Sequence, residues 1–560
     1  MQNKNTILRY ISAISFMAFM GPAFMSARDF VHIFTSKGIY ETCEDLWFKC
    51  LVLNDSTFEL SDKSHTAFVE IINPSDSVVW KEKYPIVNGE CDGQIYVGDD
   101  WETGEYRMYV HIASSLGLHD TKMTPKKLLI VSELPEAQGY VTGHALNEVT
   151  VDSIFYGRIQ PLNITVELDS AEYHTRSKVR AKIKVTDIDG NPVSATIALS
   201  VYDHLYRYRP GELDLMSHCL AVQKEPGQDN LQQDEALLSD GPITGYLKSR
   251  KKKNETPLEN QFINVFDYSN STGNLNIVVT EKDGRFEIPM DMAESFEWSV
   301  LMKPVSGKDM KPEIEIADPF AAISRVRENT TDTYYPVLRK KSSDVPENDT
   351  FDYSGRRIVR LDEVIVKGHA GRYPKRNKLL GYLDSISTLT GGAWTCGCNA
   401  GHNTTFLNDY IPGYTHHPNG SGHPKKRGVP VKGKDYELIK YSSETIQGTK
   451  IGHVEDIRHV IYTGPKYSEE ELLRMNGLWK TKGYYPHRDF NIVDEDELSL
   501  GLDDNRNTLV WLPSTETNGN GELSLEFCVS DITSVFNIQG YAISSKQPFI
   551  GIFQFQFSVK

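Results

Sequence analysis

The sequence predicts a mainly β protein: a series of Ig-like β-sandwich domains with a small α+β or irregular insertion before a C-terminal β-segment. Three observations predict it. The first is a pattern written twice, 133 residues apart, as VHIFTSKGIYETCEDLWFKCLVL at 31–53 and ITVELDSAEYHTRSKVRAKIKVT at 164–186. Each copy holds a short alternating strand, a turn, a tyrosine (Tyr40, Tyr173), a polar loop and a second alternating strand, which is how a sandwich opens. The second is period-two alternation of apolar residues in short runs separated by turn residues. The third is aromatic usage: 28 Tyr and 23 Phe in 560 residues suit β structure, and 39% hydrophobic residues argue against wholesale disorder.

In chain order, Lys4 and Arg9 precede an apolar stretch at 11–24, and small residues follow at Gly21, Ala23, Ser26 and Ala27. That is the layout of a secretory signal peptide over 1–27. An uncleaved anchor is the alternative, and the short stretch broken by Gly21 and Pro22 favours cleavage near Ala23 or Ala27. A first sandwich is expected over 28–138, where runs such as Ala67–Ile72 and Tyr106–Val110 are separated by Asn73-Pro74-Ser75 and Asn88-Gly89. A second is expected over 150–245, with Ile197, Leu199 and Val201 on one strand face and 207–240 as a polar surface insertion. Residues 246–320 read as a smaller β-domain, containing LNIVVTEKDGRFEI at 275–288 as a hairpin with Asp283-Gly284 at its tip. A polar linker follows over 321–360. Residues 361–500 form the Cys/His-containing region, with a helix over 378–386 and another opened by the Ser468/Glu471 capping box and ended by Asn476-Gly477. The last segment, 501–560, alternates again: Leu523, Leu525 and Phe527 share a face, as do Phe553, Phe555, Phe557 and Val559.

Both tyrosine-bearing openings resemble the start of the macroglobulin-type (MG2-type) sandwich of alpha-2-macroglobulin relatives, where an aromatic residue in a short polar turn plugs the end of the core. The stretch 506–551 resembles the segment of the same relatives that runs from a tryptophan strand through an Asn-Gly turn to alternating strands. The 246–320 block is similar to small Ig-like or carboxypeptidase-regulatory-like domains. The octet LDEVIVKG at 361–368 resembles the strand entering the plug of TonB-dependent outer-membrane receptors, but fewer than 200 residues follow it, too few for a receptor barrel. Together these resemblances cover roughly half of the chain. They imply an exported macroglobulin-like protein of a Gram-negative, Bacteroidetes-type cell envelope, periplasmic or at the cell surface. Its expected role is that of a non-enzymatic binding or scaffolding module with a protein partner, such as an outer-membrane transport complex. A non-covalent protease inhibitor is the family-based alternative. Covalent trapping is not expected, because the thioester run Cys-Gly-Glu-Gln is missing: Thr395-Cys396-Gly397-Cys398 continues into Asn399 and Ala400.

The net charge of −16 argues against broad electrostatic binding to nucleic acid or anionic membrane, so membrane association would be indirect or through an uncleaved N-terminal segment. No catalytic residues are assigned, since no His-Glu-x-x-His or Gly-x-Ser-x-Gly run occurs. The Gly428–Lys434 match to a phosphate loop has Asp435 where a Ser or Thr would hold magnesium. One constellation carries chemistry: Cys396, Cys398, His402 and His416, with His417 and His423, in a Gly- and Asn-rich stretch. Thiolates and imidazoles at this density suit zinc or copper, and no other cofactor is expected. A disulfide-stabilised loop and a loop without special role stand beside the metal reading. Seven cysteines cannot all pair within one chain; Cys43, Cys50 and Cys91 are the candidates for a bridge in the first sandwich.

Overall fold

The computed structural model describes residues 29–115, 124–132, 159–208, 214–224, 239–251, 254–267, 276–293, 299–305, 311–329, 477–499, 502–544 and 548–560, with strand segments 393–396, 405–407, 425–428, 435–446 and 449–461 and helical residues 470, 473 and 474. The signal segment 1–27, the octet 361–368 and the helix expected over 378–386 lie outside the described residues. Among the described residues thirty strands, β1 to β30 in chain order, fall into two bodies: 1–242 with 318–360 and 484–560, and 243–317 with 361–483.

The first body opens with β1 (Asp29–Thr35), β2 (Ile39–Glu41), β3 (Asp45–Asn54), β4 (Thr66–Ile72), β5 (Val78–Pro85), β6 (Glu90–Tyr96), β7 (Gly104–His111) and β8 (Lys126–Val131). Sheet β1-β3-β6 faces sheet β2-β8-β7-β4-β5. Alternation sends Val31, Ile33, Phe48, Cys50 and Val52 inward from one sheet and Val69, Ile71, Met108, Val110, Leu128 and Ile130 from the other. Each buried aliphatic side chain stabilises the sandwich by about 1.5–3 kcal/mol.

The second sandwich is assembled from two distant stretches. It takes β9 (Gln160–Pro161), β10 (Asn163–Leu168), β11 (Glu172–Tyr173), β12 (Lys178–Thr186) and β13 (Thr196–Asp203), then the last four strands, β27 (Thr508–Glu516), β28 (Glu522–Cys528), β29 (Val535–Ile543) and β30 (Phe549–Val559). Sheet β10-β12-β28 packs on β11-β30-β29-β13-β27. The segment 501–560 therefore completes this sandwich: β28 places Phe527 opposite Val179 and Leu525 opposite Ala181, extending a face that β10 and β12 alone would leave too narrow to cover the core.

The repeated sequence pattern is a repeated structure. Tyr40 is fully buried and Tyr173 7% exposed, each in its sandwich core. In both copies the phenol oxygen accepts from the backbone N–H three residues earlier, Lys37 and Ser170, and meets the side chain four residues earlier, Ser36 and Asp169. The strand carrying each tyrosine then pairs in parallel with the other sheet, β2 with β8 and β11 with β30. The turn thus switches the chain between sheets and closes the end of each core.

The two sandwiches are fused through the outer face of β1 and β3. Phe30, Leu51 and Leu53 pack with Ala198, Tyr541, Ile543 and Ile550, and Phe34 stacks on Trp511 at 5.3 Å. Helix α1 (Leu215–Lys224) fills the rest of this layer with Leu215, Cys219 and Val222. This corrects the reading of 207–240 as a polar surface insertion; the apolar i, i+4, i+7 spacing is short and its polar flanks hide it. The stretch expected to be a linker likewise starts as helix α3 (Pro319–Asn329), capped by Asp318, whose carboxylate accepts from the Phe320 N–H. Its Phe320 and Ile323 cover Phe68 on the outer face of β4.

The second body holds β14 (Ile243–Lys251), β15 (Asn254–Pro257), β16 (Phe262–Asp267), β17 (Asn276–Val279), β18 (Arg285–Ile288), the one-turn helix α2 (Met290–Ala293), β19 (Ser299–Pro304) and β20 (Pro312–Ile316). Sheet β17-β16-β19 gains a fourth strand, β26 (Trp479–Lys482), and β15, β18 and β20 pair with β14. The expected hairpin at 275–288 is instead a crossing. Gly284, at φ +79°, makes the tight turn, but β17 and β18 diverge into different sheets so that Val278 and Phe286 both become buried. The helix ending at Asn476-Gly477 closes as read: Leu478 N–H donates to the Leu473 carbonyl and Gly477 N–H to that of Arg474, with Leu473 and Leu478 buried. A further sheet, in the order β23-β21-β22-β24-β25, combines β21 (Ala393–Cys396), β22 (Thr405–Leu407), β23 (Lys425–Gly428), β24 (Asp435–Ile446) and β25 (Thr449–Ile461).

Candidate functional site

Of the sequence-assigned metal residues, Cys398, His402 and His416 lie outside the described residues, and Cys396 is described only as the last backbone position of β21. The register is informative at the backbone level. Thr395 pairs with Thr405 and Cys396 with Lys425, so the connection 397–404 leaves and returns at the Cys396 end of the sheet, where β23 also begins. Among the described residues no group of three or more His, Cys, Asp or Glu side chains is placed to hold a metal. Tyr206, Tyr208 and Tyr484 are buried, and the half-buried Trp47 lies under the Arg488 guanidinium.

The second body presents an unusual sheet face. On β16 and β17 apolar residues occupy both faces, which a strand covered on one side does not require. Ile263, Val265, Val278, Val300 and Met302 point into the core. On the opposite face Val279, Phe262 and Val305 form one row across β17, β16 and the end of β19, set by the Phe262–Val279 register and the Val305 N–H bond to the Phe262 carbonyl. They are 49%, 54% and 56% exposed, and Ile277 in the next row is 51% exposed. That row continues through Asn264 to Lys303. Farther along the same face Phe266 and Leu301 are buried, with Lys480 opposite Leu301 and Lys482 opposite Ser299 on β26. The result is an apolar corner at the end strand of a sheet, with Lys303 beside it. The sequence carried a signal for it, since FINVFD and NIVV are apolar at positions of both parities, but sequence reading took these segments only as strands.

A cleft of about 580 Å³ in the same body is lined by Lys248, Arg250, Glu313, Arg474 and Trp479, among others. Its charges are mutually paired: Arg250 to Glu313 at 3.1 Å, Arg474 to Glu470 at 3.0 Å, and Lys248 to Glu315. Such exposed pairs stabilise little and leave scant net field for a charged ligand.

The first body buries two polar constellations between its sandwiches. Lys37, with its side chain 1% exposed, donates to Glu44 at 2.7 Å and Asn507 at 2.6 Å and lies 4.6 Å from the Tyr206 ring centre and 5.1 Å from that of Tyr40. His32 on β1 meets His218 on α1 through their Nδ1 atoms at 3.2 Å. Burial, then the neighbouring His218 and Lys126, holds the His32 imidazole well below the usual histidine range. This buried contact joins β1 to helix α1 in the layer between the sandwiches.

In comparisons with known proteins, no family model and no curated protein matches the chain. Among solved structures it is similar to native Escherichia coli alpha-2-macroglobulin, at 9% identity and TM-score 0.25 over 96% of this chain and 40% of that one. Salmonella alpha-2-macroglobulin reacted with methylamine matches at 8% identity and TM-score 0.25, over 95% and 39%. The Escherichia coli adhesin FdeC matches at 10% and 0.15, over 51% and 62%. The chain spans about 40% of the length of these macroglobulin structures. No residue role is taken from any of them.

Proposed function

We propose that the protein is an exported, non-enzymatic, macroglobulin-like binding or scaffolding module of a Gram-negative cell envelope, and that a protein partner docks on the outer face of β17-β16-β19. The Val279–Phe262–Val305 row supports this reading: contiguous exposed apolar residues rimmed by charge mark interaction faces. Lys303, in the adjacent row, favours a partner with an apolar anchor and an acidic group beside it. A lipid surface is disfavoured, because a chain of net charge −16 is repelled by anionic headgroups, and among the described residues no helix is long and apolar enough to cross a membrane. The resemblance of 361–368 to a receptor-plug strand makes an outer-membrane transport complex the partner class to examine first.

The test is a photo-crosslinking amino acid placed at Phe262 in the full chain, with the more exposed Ile188 in the first body as comparison. A discrete protein adduct is expected at 262 and none at 188, and Val279→Glu with Lys303→Glu is expected to remove it. No adduct at 262, or one insensitive to these two substitutions, overturns the reading. A second reading, a zinc or copper protein using Cys396, Cys398, His402 and His416, is favoured by the density of thiols and imidazoles in that stretch of sequence.

A further inference from the structure

Cys50 and Cys91 are direct register partners on the antiparallel strands β3 and β6. The Val52 N–H bond to the Gly89 carbonyl, two residues along, marks a hydrogen-bonded pair, so Cys50–Cys91 is a pair of the same kind. Such pairs hold their Cα atoms about 5.5 Å apart, inside the range that a disulfide spans. Opposed residues share a sheet face, and here it is the inner one: both side chains belong to the first sandwich core and are 0% and 1% exposed. The two thiols are free and hydrogen-bonded to each other, and this contact together with burial raises the Cys91 thiol well above its ordinary value.

The other cysteines are placed elsewhere. Cys43 is exposed, in a left-handed turn at φ 69°, and contacts Tyr96. It lies two residues before β3 begins, and the five strand positions from Asp45 to Cys50 span roughly 17 Å. Cys219 belongs to the layer between the sandwiches, on the opposite side of sheet β1-β3-β6, and Cys528 ends β28 in the second sandwich.

We propose that Cys50 and Cys91 close a disulfide across β3 and β6 in the exported protein, and that no bond involving Cys43 competes with it. The oxidant is a disulfide, either a thiol–disulfide oxidoreductase in its oxidised form or a small-molecule disulfide such as oxidised glutathione. One cysteine thiolate attacks that disulfide and releases one thiol. The second cysteine attacks the resulting mixed disulfide and releases the other. Two thiols and one disulfide thus become one protein disulfide and two thiols, with no electrons left over. Because both sulfurs end up buried, the exchange takes place while β6 is still docking. The bond ties a 42-residue segment, from Cys50 to Cys91, and resists reductants that cannot unfold the sandwich.

The full chain is unfolded in reductant, refolded in a reduced/oxidised glutathione buffer, alkylated in denaturant without reductant, and digested. The expected product is a cross-linked peptide pair containing Cys50 and Cys91, with Cys43 recovered alkylated or carrying glutathione. Refolding in reductant instead, with the thiols left unmodified, is expected to lower the unfolding temperature of the first body by about 10 °C. Recovery of Cys50 and Cys91 both alkylated from the refolded protein overturns the proposal, as does a cross-link from Cys43 to either. The outcome is independent of whether a partner is captured at Phe262, so the two proposals fail separately.

Discussion

A Gly540→Ala substitution is expected to destabilise the first body by about 3 kcal/mol, or to leave no soluble protein. Gly540 lies in the middle of the central strand β29, opposite Leu199 on the neighbouring strand β13. A methyl group built there would sit 2.1 Å from the Ala198 carbonyl oxygen, 2.9 Å from the Phe553 ring and 3.0 Å from the Leu199 Cα. Two of these three neighbours are backbone in a strand paired on both sides, so no side-chain rotation relieves the clash and the sheet itself must shift. Denaturant titration of the full chain checks the prediction. Gly519→Ala, in the turn after β27 with nothing within 4 Å of the added carbon, is expected to change stability by no more than about 0.5 kcal/mol. Equal midpoints for the two variants would mean that β29 does not occupy the centre of that sheet.

Lys37→Met is expected to destabilise the same body by about 3 kcal/mol. The methionine keeps most of the apolar stem but removes the charge, leaving Glu44 without its cation, Asn507 with the Thr508 hydroxyl in place of the shorter ammonium bond, and two aromatic faces without the ammonium they hold. The expected loss is at the low end of the range for breaking buried pairs, because the Glu44 side chain is 24% exposed and water offsets part of its loss. Adding Glu44→Gln should recover part of it, since the pair is coupled; additive losses would show that the two charges do not interact. Lys37 and Glu44 come from the first sandwich and Tyr206 and Asn507 from the second, so the variant also tests whether the sandwiches unfold as one unit.

What the sequence made legible follows from how local each feature is. The tyrosine turns were readable because turn, tyrosine and flanking strands are contiguous, and their geometry repeats at Tyr40 and Tyr173. The inward faces of β13 and β28 were readable because period-two alternation needs only neighbouring residues. Three features were hidden by their dependence on distant chain. The partners of β12 and β13 lie more than 300 residues downstream, and nothing in either strand names them. Asp283-Gly284 specifies a tight turn but not whether the strands beyond it pair or part, which the cores awaiting Val278 and Phe286 decide. Leu215, Cys219 and Val222 make a helix stripe only once the outer face of β1 and β3 exists to receive it. Of the candidate site, Phe262 and Val279 could have been flagged by their parity, whereas the row with Val305 exists only through the β16–β19 pairing.

The binding-module reading is tested most directly by metal analysis combined with thiol counting on the full chain, purified without a histidine tag. A scaffold that works through the β17-β16-β19 face predicts less than 0.1 equivalent of zinc or copper (about the background of adventitious binding), unchanged by Cys396→Ser with Cys398→Ser. One equivalent of bound metal that these two substitutions abolish would contradict it and move the function to the Cys396–His416 segment.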